Sequence, residues 1–501
     1  MTEATDAPAG RRMWVVAGLM LSTALAAMDG TIVATAIPSI VADLGGFALF
    51  PWMFSAYLLL QAVTVPIYSK LADLYGRKPV LFFGVTVFVL GSLLCGLAWS
   101  MPALIVFRAL QGVGAGAVLP ITTTIVGDIF SVEERARIQG YFSSVWGISA
   151  IVAPAVGGLF VQYGSWRWAF LVNLPIGALA AWTLVRHLRE RVAPRRHRID
   201  AAGALALAAG AGGLVFGCLQ AGGRHPGGGW TTLAAFAFGA VALAVFVAVE
   251  RRAAEPVLPL GAFREPMLAG ANFSNLVLGM VVVGLSSYIP TFVQGVLGGS
   301  PLVGGLTLGM MSVGWPLASS LSGRAYLRFG FRSTAQAGAA LCAAGGAVLL
   351  SAPATASALP VALGCFITGA GLGLATTSVL VAVQAAVEWE QRGMATGAMT
   401  FMRMLGSTLG AAVYGGIVNA TVARALAEAP AAVRAQLPAA TDVTSALLER
   451  SGAHVPPHVL GYLRAALDAG VHHVFLVTIA AALVALAFVS RIPARVQRVR
   501  V

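Results

Sequence analysis

The stretch RMWVVAGLMLSTALAAMDGTIVATAIP, residues 12–38, is an apolar run that carries one full negative charge, Asp29. A helix needs about 20 apolar residues to cross a bilayer core of roughly 30 Å, and this run is long enough. The rest of the chain repeats the pattern, since 58% of its 501 residues are hydrophobic and 10% are charged. The sequence therefore predicts an all-α membrane protein in which Asp29 lies inside a span.

The chain divides at charged or Gly/Pro-rich breaks into fourteen candidate spans. An even number of spans predicts that both termini lie on the same side of the membrane. The spans lie near residues 13–40, 48–69, 79–99, 102–128, 139–163, 166–186, 200–221, 230–249, 267–294, 302–323, 333–352, 360–386, 395–423 and 471–490.

The net charge of +13 does not indicate nucleic-acid binding, because the basic residues are spread over many loops instead of one face. With a cytoplasmic N-terminus, 24 of the 32 Lys and Arg residues fall in cytoplasmic loops and tails, six in outer loops and two inside spans. The positive-inside rule thus predicts two cytoplasmic termini. The expected location is the cell membrane. A signal peptide is a competing interpretation of residues 11–26, but its cleavage would upset the charge parity of every later loop.

Two connections in the first half of the chain recur weakly in the second. SKLADLYGRKPV at 69–80 resembles GRAYLRFGFRS at 323–333, and ERARIQG at 134–140 resembles QRGMATG at 391–397. Nearly equal offsets, 254 and 257 residues, predict a duplicated six-helix unit. The expected organisation is an N-terminal six-helix bundle at 1–190, a basic linker with two inserted spans at 191–265, and a C-terminal six-helix bundle at 266–501 with a long outer loop at 424–470.

These segments resemble motifs of the major facilitator superfamily, in particular of its fourteen-helix drug:proton antiporters. LADLYGRK at 71–78 is similar to motif A, RALQGVGAG at 108–116 to motif B, and APAVGG at 153–158 to the antiporter motif C. MDGTIVATAIP at 28–38 and WRWAFLVNLPIG at 166–177 resemble signatures of the fourteen-helix group. The resemblance implies the major facilitator fold with 14 transmembrane helices, arranged as 6 + 2 + 6.

Asp29 is expected to face a cavity or a partner, because a charge at the bilayer centre costs about 2.5–3.5 kcal/mol. At a rise of 1.5 Å per residue, Asp29 lies about 24 Å from the cytoplasmic start of span 1, and Arg108 about 9 Å from the outer start of span 4. Both depths fall in the outer third of a core of roughly 30 Å, so we expect an Asp29–Arg108 contact. The pair is either a proton-coupling site or a permanent ion pair that only holds two helices together.

Motif A is implied by the resemblance to be a conformational latch, formed by Asp73, Gly76, Arg77 and Lys78. In the family, the acid contacts the positive N-terminal end of a second-half helix, which here is expected to begin near Gly393 or Ala395. The second copy of the motif has Leu327 in the position of the acid. The alternative interpretation is a solvated turn that ends helix 2.

Motif C places Pro154, Gly157 and Gly158 in span 5, where the helix can kink and approach a neighbour. Ordinary small-residue packing is the alternative. Further polar and aromatic residues are candidate contacts of a substrate cavity, with structural hydrogen bonding or packing as the alternative. They are Tyr57, Gln61, Phe142, Trp146, Asn272, Asn275, Tyr288, Gln294 and Arg403.

These features predict a proton-coupled antiporter that exports small amphipathic drugs or toxic compounds by alternating access. Proton-coupled uptake of a small solute on the same fold is the alternative. An enzyme is not expected, because the spans contain no phosphate loop, H-E-x-x-H, G-x-S-x-G or paired-acid cluster. The expected partners are a small-molecule substrate and the lipid bilayer, for a monomer with no nucleic acid, no metal site and no cofactor other than the proton as coupling ion.

Overall fold

The computed structural model describes residues 9–45, 49–188, 190, 201–222, 228–253, 263, 265–353, 357–434 and 456–493. These residues form helices joined by short connections, and no β-strand occurs among them. The predicted all-α class is confirmed.

The helices follow the predicted spans closely, usually extending a few residues beyond them. The first half contains α1 Ala9–Leu44, α2 Phe50–Tyr75, α3 Arg77–Gly96, α4 Met101–Ile129, α5 Val132–Tyr163, the single turn α6 Trp168–Leu171 and α7 Asn173–His187. The insert contains α8 Ala201–Gly222 and α9 Gly228–Glu250. The second half contains α10 Pro266–Gly295, α11 Pro301–Phe329, α12 Phe331–Leu350, α13 Ala358–Ala386, α14 Arg392–Ala427, the single turn α15 Ala431–Arg434 and α16 Pro457–Val489.

Twelve stretches within the described helices are long and apolar enough to cross a membrane. Helix α5 is not among them, and α8 contributes only a shorter apolar stretch at 202–214. The protein is therefore a multi-pass membrane protein, and the number of fourteen crossings stays a prediction.

Two of the turns between helices depend on a single glycine. Gly76 joins α2 to α3 at φ 99°, and Gly330 joins α11 to α12 at φ 88°. Both values lie in the region of backbone space that residues with a Cβ atom avoid. The two glycines are 254 residues apart, as in the sequence repeat, and they mark one end of the bundle, which we call the Gly76 end.

The two halves of the bundle contact each other at the Gly76 end and separate toward the opposite end. On α11, Gly323, Ser320 and Ser312 lie against α5. On the same face of α11, one and two turns further from the Gly76 end, a Cβ atom added at Gly309 or Gly305 would meet no described atom within 4 Å. The interior between the halves is therefore closed at the Gly76 end.

The inserted helices pack across the seam between the halves. Helix α8 contacts both α2 of the first half and α14 of the second. An apolar cluster at this junction contains Val65 from α2, Leu207 from α8, Phe246 from α9, and Phe401 and Met402 from α14. The insert thus covers one side of the contact between α2 and α14.

The predicted loop at 424–470 is shorter in the structure, since α14 continues to Ala427 and α16 begins at Pro457. The first turns of α16 are amphipathic, and their buried residues Val459 and Leu463 pack on Val433 of the turn α15. This packing makes the segment helical although its sequence is not apolar throughout. Residues 435–455 of the loop and 191–200 of the basic linker lie outside the described residues.

Candidate functional site

Asp29 and Arg108 form a buried ion pair between α1 and α4. Both side chains are 0% exposed, so the predicted contact at matching depths is present. Arg108 also donates from Nε to the Met53 carbonyl oxygen at 3.4 Å and from Nη1 to Gln111 Oε1 at 2.7 Å. Removing one partner from such a buried pair costs about 3–5 kcal/mol, because it leaves the other charge uncompensated.

The Asp29 carboxylate accepts hydrogen bonds from three side chains. Besides Arg108, Gln111 Nε2 donates at 2.8 Å and Asn173 Nδ2 at 3.2 Å, both to Oδ1. Asn173 Nδ2 also lies 3.0 Å from Ser92 Oγ. An ionised carboxylate only accepts hydrogen bonds, whereas a protonated one carries an O–H that needs an acceptor. The arrangement therefore matches the ionised form of Asp29.

Aromatic rings complete the surroundings of Arg108. The guanidinium carbon lies 4.1 Å from the centroid of the Tyr57 ring and 5.8 Å from that of Phe170. Tyr57 is 4% exposed, and its hydroxyl has no hydrogen-bond partner in the described part of the chain. Tyr57 was expected to line a substrate cavity, but the structure places it in the ion-pair cluster.

The WRWAFLVNLPIG signature, residues 166–177, contacts α1 at two places in the first half. Asn173 reaches Asp29, as described above. At the end of α1, Asp43 Oδ2 accepts from the Trp166 indole at 2.9 Å and from Arg167 Nη1 at 2.8 Å. These hydrogen bonds lower the pKa of the Asp43 carboxyl, which is exposed to solvent. The signature therefore holds α1 at both the ion pair and the end opposite Gly76.

The motif A acid Asp73 lies against the N-terminus of α14. Its two carboxylate oxygens accept from the backbone N–H groups of Gly393, at 3.1 Å, and Met394, at 2.7 Å. Helix α14 has no side-chain hydrogen bond from its own N-cap residue, Gln391. Asp73 therefore supplies, from the other half of the molecule, the acceptor that the first turn of α14 needs.

Arg77 connects the same acid to a second carboxylate and to the second half. It forms ion pairs with Asp73 at 2.9 Å and Asp128 at 3.1 Å. Its guanidinium lies 3.9 Å from the Trp389 ring centroid and donates to the Trp389 carbonyl oxygen at 2.8 Å. Arg392 of the second half pairs with Asp128 at 3.2 Å. The Gly76 end is thus closed by alternating charges from both halves.

Arg135 lies beside this network and is also buried. It donates from Nε to the Phe130 carbonyl oxygen at 3.0 Å and from Nη2 to the Gly127 carbonyl oxygen. Burial, together with the positive charge of Arg392, lowers the pKa of the Arg135 guanidinium to about 10. Arg135 remains protonated at neutral pH and caps the end of α4.

Lys78 of motif A faces away from the contact between the halves. Its Nζ donates to the carbonyl oxygens of Val185 at 3.1 Å and Leu188 at 2.6 Å, at the end of α7. In return, Glu190 accepts from the backbone N–H groups of Arg77 and Lys78 at 2.9 and 2.8 Å. The two side chains cap each other's helices, so Lys78 ties α3 to α7.

The motif C residues lie in helix α5. Gly157 is buried. Pro154 and Gly158 are helical, and their surroundings fall outside what the structure describes. The role implied for motif C stays a prediction.

The remaining cavity candidates divide by exposure. Gln61, Phe142, Asn272 and Asn275 are buried, and Asn275 Nδ2 donates to the Ala271 carbonyl oxygen at 2.9 Å. Trp146, Tyr288, Gln294 and Arg403 are at least partly exposed. Buried residues cannot touch a substrate in this conformation, so only the second group is accessible to one.

Several site residues escaped prediction from sequence. Gln111, Asn173 and Ser92 join the ion pair, while Asp128, Arg392, Trp389 and Glu190 join motif A. One signal was available for Gln111, which follows Arg108 by three residues and so lies on the same helix face. The others are distant in sequence from the residues they contact.

Membrane-length helices in two halves, closed at the Gly76 end by a network of ion pairs and containing the buried Asp29–Arg108 pair, define a multi-pass membrane transport protein. The sequence profile of the Major Facilitator Superfamily matches residues 19–411. The chain belongs to the Major Facilitator Superfamily, and its partners are accordingly the membrane and small-molecule substrates.

Curated relatives and solved structures agree with this family. The chain is 35% identical over 414 residues to Multidrug resistance protein 3 of Bacillus subtilis, covering 82% of this chain and 81% of the relative. It is 32% identical over 410 residues to the multidrug transporter protein MdtP of the same organism, covering 82% and 76%. The crystal structure of the human organic anion transporter MFSD10 aligns with a TM-score of 0.62 at 14% identity, covering 95% of this chain and 100% of that one. The last similarity concerns the fold alone.

Proposed function

We propose that the protein exports small amphipathic drugs or toxic compounds from the cytoplasm in exchange for protons. Relatives at 32% and 35% identity are named as multidrug transport and resistance proteins, which supports the export of such compounds. The observation that carries the proton coupling is Asp29, a carboxylate 0% exposed within a membrane span. An ionisable group in this position is costly, and such groups in transporters serve ion pathways.

Proton uptake at Asp29 requires the ion-pair cluster to rearrange. Arg108, Gln111 and Asn173 all donate to the carboxylate in the present arrangement. A protonated Asp29 would place an O–H among these donors, so at least one side chain must turn or move away. Protonation thereby changes the contact between α1, α4 and α7, and this change is the proposed link to the motion of the two halves.

The positive-inside rule supports a cytoplasmic position for the Gly76 end and for both termini. Four basic residues of the motif A network and its neighbours lie at this end, namely Arg77, Lys78, Arg135 and Arg392. The conformation is then closed toward the cytoplasm, with the halves separated on the outer side. In the proposed cycle, release of Asp73 from α14 opens the cytoplasmic side.

The test is Asp29→Asn, which keeps the size of the side chain but cannot titrate. We expect uphill export by reconstituted protein under an imposed pH gradient to be lost, while downhill exchange without a gradient continues. Asp43→Asn is the matched control, because it removes a carboxylate from the exposed end of the same helix and should leave uphill export unchanged.

Two outcomes would contradict the proposal. Equal proton release on substrate addition to purified wild type and Asp29→Asn would make Asp29 a structural ion-pair partner. Accumulation of substrate on the more alkaline side of the membrane would mean that substrate and protons move in the same direction. This result would favour the alternative of proton-coupled uptake.

A further inference from the structure

Arg403 lies near mid-depth of the bundle on α14. It follows Arg392, the first residue of the helix at the Gly76 end, by 11 residues, or about 16 Å at 1.5 Å per residue. In an apolar core of roughly 30 Å this position is close to the middle. A positive charge at this depth is expensive unless a partner or water surrounds it.

No partner for Arg403 exists in the described part of the chain. Two buried arginines each have an acid and an aromatic ring: Asp29 and Tyr57 for Arg108, Asp73 and Trp389 for Arg77. Among the described residues, Arg403 has no ion pair, no side-chain hydrogen bond and no aromatic ring over its guanidinium, and its side chain is partly exposed. Its five donors are therefore open to a ligand.

The position of Arg403 on its helix places the side chain in the interior. The backbone of α14 is pressed against α10 here, since a Cβ atom added at Gly279 would lie 2.1 Å from the Arg403 carbonyl oxygen. Helix α14 also packs on α2, α8 and α16. Thr396 and Gly410, seven residues to either side on the same face of α14, lie against Gln384 of α13 and Met280 of α10, so the partly exposed side chain of Arg403 is directed between these two helices.

We propose that Arg403 binds an anionic group of the transported molecule, so that the exporter accepts amphipathic anions such as aryl sulfonates and carboxylates. This inference rests on the proposed export function and narrows its substrate class. A planar guanidinium forms two parallel hydrogen bonds with a carboxylate or a sulfonate, and small-molecule sites usually take up the rest of a ligand on apolar side chains.

The charge of the substrate has a consequence for the driving force. An outgoing anion and an incoming proton both move positive charge inward. A negative-inside membrane potential therefore drives the exchange of a monoanion more strongly than that of a neutral molecule at the same proton stoichiometry.

The experiment uses two fluorescent molecules that differ by one charge, dansylate and the neutral dansyl amide. Their binding to full-length protein in lipid nanodiscs is measured by equilibrium dialysis. Wild type should bind dansylate more tightly than the amide. Arg403→Gln should weaken dansylate binding about 10-fold or more, because hydrogen bonds to charged groups contribute about 1.5–3 kcal/mol, and should change amide binding less than about two-fold.

Two further variants keep the result interpretable. Arg403→Lys retains the charge without the planar fork and should give an intermediate loss. Arg424→Gln removes an exposed cation from the same helix and should bind both molecules as wild type does. Unchanged amide binding by Arg403→Gln also shows that this variant is folded.

The inference is overturned if wild type binds dansylate no better than the amide, if it binds neither, or if Arg403→Gln weakens both equally. Export of dansyl amide under a pH gradient separates this result from the proposed function. If the amide is exported uphill while dansylate shows no preference, the inference fails and the export function stands. If dansylate is preferred through Arg403 but a pH gradient drives neither molecule, the inference stands and proton-coupled export fails.

Discussion

The two glycine turns at the Gly76 end have the same backbone and different chemistry. Around Gly76, Asp73 reaches the N-terminus of α14 in the other half. Around Gly330, the residue in the position of the acid is Leu327, which is 53% exposed. There the contact with the other half is made by Tyr326, whose hydroxyl donates to the carbonyl oxygen of Val132, the first residue of α5.

The difference follows from how each partner helix begins. Helix α5 caps itself, since Ser131 accepts from the Glu134 N–H and Glu134 accepts from the Ser131 N–H. Helix α14 has no such cap, and Asp73 takes its place from across the molecule. A helix without its own N-cap can be used as a contact that opens and closes, because its free N–H groups bind the acid only when the halves meet.

The largest effect is expected when Asp73 of the Gly76 turn is replaced by leucine, the residue found at the same position of the Gly330 turn. Asp73→Leu removes two charge-assisted hydrogen bonds to α14 and leaves Arg77 with one of its two carboxylate partners, Asp128. Each such bond contributes about 1.5–3 kcal/mol. Losing one bond therefore shifts the equilibrium between the closed and open states about 10-fold toward the open state. Transport should fall by at least about 10-fold, and labelling by a maleimide of Ser69→Cys, which faces Gly397 of the other half, should become faster.

The matched control is Leu327→Asp, which places the acid in the exposed position of the second turn. Because α5 already has its cap, we expect transport and labelling to remain as in the parent. A loss as large as that of Asp73→Leu would show that the two turns are functionally equivalent and would refute the comparison.

A smaller effect is expected for Tyr326→Phe. The substitution removes one neutral hydrogen bond to Val132 and keeps the ring, which stacks on Phe331 at 4.6 Å between centroids. A neutral hydrogen bond contributes about 1 kcal/mol, so transport should change by about five-fold or less. A loss above 10-fold in the same vesicle assay would mean that the second turn also acts as a latch.

The smallest effect is expected for Glu190→Gln, at a helix cap that the Gly330 turn lacks among the described residues. The single amide oxygen of Gln can still accept from one of the two N–H groups, of Arg77 or Lys78, but the other N–H loses its acceptor and the negative charge at the N-terminus of α3 is lost. Such charges contribute about 0.3–1 kcal/mol, so the thermal unfolding temperature should fall by a few degrees at most, with transport retained. Glu265→Gln is the control, since Glu265 precedes α10 without a side-chain hydrogen bond to that helix.

The sequence by itself determined the helices, the repeat and the positions of the buried charges. Apolar length predicted the spans, and the offset of 254 residues paired Gly76 with Gly330. Helix rise alone brought Asp29 and Arg108 to the same depth, because a helix crossing a bilayer has one direction and a fixed length per residue.

Only the tertiary structure decided which side chains meet. Asn173 reaches Asp29 across 144 residues, and Asp73 reaches Met394 across 321. Arg108 and Arg403 look alike as single cations within apolar runs, yet one is paired and the other is open. The depth of a residue along its helix follows from the local sequence. The rotation of that helix and the identity of its neighbours result from packing among all the helices. The partner of a buried charge therefore cannot be read from the residues next to it in the chain.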